Sequence, residues 1–186
     1  MLSEWASLKY SDPHIILPQL RKLQVLAAAS NLNEHAKNLR TNKLKRYKEG
    51  WEATLFCYGI GELLNTTVEV ALHESSDYDV IARRMGDGIV HYTPIQIKEL
   101  VPESLNPETD LNKEISKLTR YPVSNDLVVV VHLNRDGRLD LSKLDIPRLE
   151  IAELWLIGAT QADQSEWFIA GDLLKSPTIF TFKYPS

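Results

Sequence analysis

Residues 127 to 133 read Leu-Val-Val-Val-Val-His-Leu, an almost unbroken β-branched run. A strand with one wet face alternates apolar and polar residues, so a run without alternation suits a strand covered on both faces. This run predicts the centre of a sheet with helices packed on each side. With 186 residues the chain is long enough for one such domain with a real core and short for two.

The flanking sequence supplies the remaining layers. From Pro18, a good first helical residue, Leu20, Leu23 and Ala27 recur at helical spacing, and Leu32, Ala36 and Leu39 continue the pattern. A further helix is expected from about Gly50 to Asn65, with Glu52, Phe56, Gly59 and Leu63 on one line. The period then changes to that of strands: 67–73, 78–84 and 89–100, the last two joined by Met85-Gly86-Asp87-Gly88. Pro94 inside the third strand implies an edge, a bulge or a late start, because proline donates no ladder hydrogen bond. Asn106-Pro107-Glu108 predicts a helix start, and Leu111, Ile115 and Leu118 form its apolar stripe. Strands at 153–159, 166–170 and 178–184 complete a mixed sheet, so the expected class is α/β. Residues 1–49 read as a basic helical extension of the same unit, and residues 50–186 as its main body.

Composition removes several classes. Hydrophobic residues make up 44% and charged residues 25%, as in an ordinary folded domain. A lone cysteine and the lack of a signal-like amino terminus lead to the expectation of a reducing, cytoplasmic setting. The longest apolar stretches are too short to span a bilayer. The five histidines show no zinc-site spacing, no Gly-x-Ser-x-Gly elbow occurs, and Cys57 between Phe56 and Tyr58 reads as a buried small hydrophobe. The four tryptophans are most simply packing residues. Net charge is −4 but uneven: residues 1–50 carry nine basic against four acidic side chains, and the rest twelve against twenty-one. Lys37, Arg40, Lys43, Lys45, Arg46 and Lys48 fall in one short segment, which offers either a solvated helix face or a contact for phosphates.

One pair of segments carries a chemical proposal. Asp79 lies at the start of the second strand and Gln96-Ile97-Lys98 in the third. Alternation puts Gln96 and Lys98 on one face and Ile95 and Ile97 on the other. Glu99 turns away from the lysine's face and reads as structural. Glu52 lies on the inward line of its helix, and an inward carboxylate needs a partner such as a cation.

The order α-β-β-β-α-β from Gly50 to about Leu133, together with these residues, resembles the core of the PD-(D/E)XK, or restriction-endonuclease-like, nucleases. The Gln-x-Lys motif is similar to that of their Mrr-like branch. The resemblance covers under half of the chain. It implies that Asp79, Gln96 and Glu52 hold Mg²⁺ or Mn²⁺, that Lys98 is the catalytic lysine, and that the reaction is hydrolysis of phosphodiester bonds in DNA. It also implies action as a pair of identical subunits and a basic amino-terminal region gripping the DNA backbone. This chain departs from the pattern in having Tyr78 where the family motif has proline, and Gln96 where an acid is commoner. Asp77 competes with Asp79, and Glu62 with Glu52. The alternative reading is an inactive module that keeps the fold and binds a partner.

Overall fold

The computed structural model describes residues 2–29, 45–73, 75 and 77–186. It is an α/β structure in which one seven-stranded mixed sheet carries helices on its faces. The strands are β1 (Val68–Leu72), β2 (Val80–Gly86), β3 (Ile89–Leu100), β4 (Val128–Leu133), β5 (Glu153–Ala159), β6 (Glu166–Gly171) and β7 (Thr178–Lys183), and they stand in the sheet in that same order. The β-branched run is therefore central, with three strands on either side. β3, β4 and β5 are mutually parallel, while every other neighbouring pair is antiparallel.

Helices α1 (Leu2–Ala6), α2 (Pro13–Ala28) and α3 (Lys45–Leu64) precede β1, and the short α4 (Leu111–Ser116) precedes β4 and runs into a 3-10 turn, Lys117–Arg120. Helix α2 begins five residues before the expected Pro18, because Asp12 and Pro13 make a better start. The Asp12 carboxylate accepts from the His14 N–H at 2.9 Å, and proline at the first helical position gives up a bond that has no partner there anyway. Pro18 is absorbed within the helix. Helix α3 also starts earlier than Gly50, and Lys45–Glu49 and Lys48–Glu52 pairs one turn apart support that added stretch. It ends where expected, with Asn65 at φ 50° in the left-handed region and Thr66 N–H returning to Gly61 O at 2.9 Å. Helix α4 starts at Leu111, after the expected Asn106, because Asp110 is the residue whose side chain caps it.

The sheet's pleat divides the interior into two cores. On one face Ile95, Ile97, Val128 and Val130 pack with Leu17 of α2 and with Trp51, Leu55 and Phe56 of α3. On the other, Val129, Val131 and Leu100 pack with Ile115, Leu118 and the segment around Ile151. Helix α3 crosses close to β7: a Cβ on Gly59 would lie 2.6 Å from the Phe182 ring. Pro94 is tolerated inside β3 because pairing with β4 begins one residue later, at Ile95↔Val128, so no β3–β4 bond is lost. No helix among the described residues is long and apolar enough to cross a membrane.

Candidate active site

Asp79 sits immediately before β2, opposite Gln96 of β3. Its N–H donates to Ile95 O at 2.9 Å, which fixes its backbone, and its Oδ2 accepts from the Ile97 N–H at 2.7 Å and from the Gln96 side-chain amide. The Gln96 Nε2 also lies 3.2 Å from Ile97 O. One amide nitrogen is thus held between two oxygens. Gln96 is buried, and Lys98, two residues on and on the same face, is half-buried with its Nζ 5.6 Å from the centre of the Tyr121 ring.

Burial pushes the Asp79 carboxyl up to about 6. The Ile97 N–H opposes this, the Glu49 carboxylate adds to it, and the Lys98 and Lys45 ammonium groups pull the other way. These influences place Lys98, and the first turn of α3, within electrostatic reach of Asp79. A carboxyl near 6 within electrostatic reach of a lysine is the kind of perturbed group found at sites of chemistry.

The structure brings Asp79, Gln96 and Lys98 together and leaves Glu52 elsewhere. Helix α3 covers the Ile95–Ile97 face, so its inward residues meet the odd-numbered positions of β3. Glu52, only 2% exposed, has its Oε1 2.6 Å from His132 Nδ1 and 3.1 Å from Lys48 Nζ. Lys48 bonds Glu99 as well, and Asn134 donates to Glu99 Oε1 at 2.7 Å. One ligand atom from each of Glu52, Glu99 and His132 lies within 4.8 Å of the others, a set able to hold a metal ion. Two carboxylates and an imidazole suit Zn²⁺ or Mn²⁺ better than Mg²⁺. Here the Lys48 ammonium supplies positive charge to both carboxylates, so the group already works as a buried ion network tying α3 to β3 and β4.

The other sequence candidates separate clearly. Asp77 is exposed and lies outside β2, its N–H bonded to Ser75 Oγ at 3.1 Å. Glu62 is exposed near the far end of α3, 3.8 Å from His14. Lys37, Arg40 and Lys43 lie outside the described residues. Lys45 and Arg46 are exposed on the first turn of α3, whereas Lys48 is turned inward to its carboxylates and is not presented to a phosphate backbone. Cys57 is buried and its thiol is pushed up by that burial, which fits a packing role.

Sequence reasoning did not find Glu49, Tyr121 or the Ile97 peptide group. Glu49 stands nearly one turn before Glu52, so helical spacing made it a neighbour, but the line through Phe56 and Leu63 favoured Glu52. Tyr121 follows a helix end and carries no spacing signal. No family model, curated protein or solved structure matches the chain.

Proposed function

We propose that the protein is a metal-dependent nuclease of restriction-endonuclease-like build that hydrolyses phosphodiester bonds in DNA. The observation that carries this reading is the gathering of Asp79, Gln96 and Lys98 on one face of β3, with the Asp79 carboxyl perturbed by burial. The element order supports it too: a helix, three antiparallel strands, a helix, and a fourth strand parallel to the third.

The donor set fits Mg²⁺ or Mn²⁺. Asp79 offers a hard carboxylate, Ile97 a carbonyl oxygen, and Gln96 its amide oxygen once the side-chain amide turns over, since its nitrogen now occupies the place between the other two. The bound ion would supply Lewis-acid polarisation of the scissile phosphate and a more acidic water. Asp79 must be ionised to bind a cation, and with its carboxyl near 6 it is so at neutral pH and above. The Ile97 N–H holds that carboxylate in place from the protein side. Lys98 puts a positive charge beside the phosphate and stabilises the negative charge that develops on its oxygens. Tyr121 steadies the ammonium through its ring. Lys45 and Arg46 extend positive charge from the first turn of α3.

A second reading, an inactive module binding a partner, is favoured by one feature: Glu52, the helix acid the resemblance implies, is engaged by Lys48 and His132 on the opposite face of the sheet. Plasmid and single-stranded DNA incubated with Mg²⁺, Mn²⁺ or EDTA decide between them. The nuclease reading expects metal-dependent cutting by wild type and none by Lys98→Ala. Equal cutting by both, or none by either, removes it.

A further inference from the structure

On the Gln96 and Lys98 face, β3 continues back to Pro94, two residues or about 7 Å before Gln96. Pro94 forms part of a cleft of about 550 Å³. Trp5 lies at its base, 3% exposed, with its indole N–H donating to the Tyr78 hydroxyl at 3.2 Å. The Trp5 and Tyr78 rings meet edge to face at 6.0 Å. Tyr121, the ring that carries Lys98, forms another wall. The cleft therefore adjoins the candidate active site through Tyr121, which faces the Lys98 ammonium, and through Tyr78, the residue next to Asp79.

We propose that this cleft binds one unpaired nucleobase of single-stranded DNA, next to the phosphate that Lys98 contacts. The proposal rests on the nuclease reading and names the substrate form that site prefers. Three features select a base over other occupants. The half-buried rings of Tyr121 and of Tyr78, the latter by the side not stacked on His73, offer surface on which any base can stack. The rim carries the exposed amide of Asn125 together with Ser124, groups able to pair with a base edge. Asp77 and Asp126, also on the rim, repel a phosphate backbone while accepting from exocyclic amines. The backbone is thereby directed to Lys98 and the base to the cleft. A duplex cannot comply without unpairing, because its base faces are hidden in the stack.

The test measures binding in EDTA, where no chemistry occurs, by fluorescence anisotropy of a 5′-labelled 12-mer as single strand and as duplex. The single strand should bind at least tenfold more tightly. A scan of that strand with one abasic residue at each position, on the wild-type protein, should locate a single position whose loss weakens binding. Tyr121→Ala should weaken single-strand binding about 5- to 150-fold, and Tyr121→Phe, which keeps the ring, should restore it. Equal affinity for single strand and duplex, or an abasic scan with no sensitive position, overturns the proposal. Adding Mg²⁺ afterwards separates the two readings. Base-dependent binding without cleavage leaves the cleft standing and removes the nuclease. Cleavage without single-strand preference removes the cleft and keeps the nuclease, and no binding of any DNA removes both.

Discussion

Replacing Asp79 by asparagine keeps the shape of the site and removes its charge, and the structure sets the size of the effect. The new side-chain carbonyl oxygen can still accept from the Ile97 N–H and the Gln96 amide, so the hydrogen bonds survive. What disappears is the penalty of ionising a largely buried carboxyl, expressed as a rise from 3.8 to about 6. At 1.36 kcal/mol per unit, this amounts to about 2–3 kcal/mol. The folded protein holds this proton more tightly than the unfolded chain does. Asp79 therefore favours folding fully below about pH 4, and that contribution is lost as pH climbs through 6. The asparagine side chain does not titrate. Urea unfolding in EDTA should show Asp79→Asn gaining on wild type by about 2 kcal/mol between pH 4.5 and pH 7.5, with unchanged m-values. Divalent metal should then reverse the order at pH 7.5, because it stabilises only the protein that binds it. Parallel stability curves for the two proteins across this pH range would refute the argument that Asp79 is held against its ionisation.

Three further substitutions test neighbouring parts of the account. Gln96→Glu puts a second carboxylate beside Asp79, so it should lower stability in EDTA at neutral pH and tighten Mg²⁺ binding at least about tenfold by calorimetry. Lys48→Met strands Glu52 and Glu99 and should cost about 3–5 kcal/mol in urea unfolding. Adding Glu52→Gln to it should recover a good part of that loss. Gly59→Ala drives a methyl into the Phe182 ring and should cost about 1–3 kcal/mol by the same measurement.

The β-branched run at 127–133 placed the sheet's centre because burial on both faces leaves no polar alternation. The flanking strands followed from period and turn chemistry: Asp87 and Gly88, both at positive φ, form the two-residue link between β2 and β3. Helix starts were harder to read. Pro18 and Pro107 attracted the assignments, while the caps actually used, Asp12 and Asp110, lay some residues away. At the site, alternation sufficed to group Gln96 with Lys98, and antiparallel register added Asp79. Glu52 was a different problem. Helical periodicity says which side of a helix turns inward, but not which face of the sheet it covers. The clue was present in β3 itself, since an apolar helix face packs on Ile95 and Ile97, and these point away from Gln96 and Lys98. The partnership of Glu52 with His132 and Lys48 depends on the parallel pairing of β3 with β4, which sets Glu99 beside His132. No local pattern encodes that.

Two groups of side chains on opposite faces of β3 compete to be the metal centre, and one measurement distinguishes them. Substoichiometric Mn²⁺ broadens the amide NMR signals nearest to it. The account predicts loss of the Asp79, Ile97 and Lys98 amide signals first in wild type, and no such loss in Asp79→Asn. Broadening centred on Glu52, Glu99 and His132, and unchanged by Asp79→Asn, would contradict it.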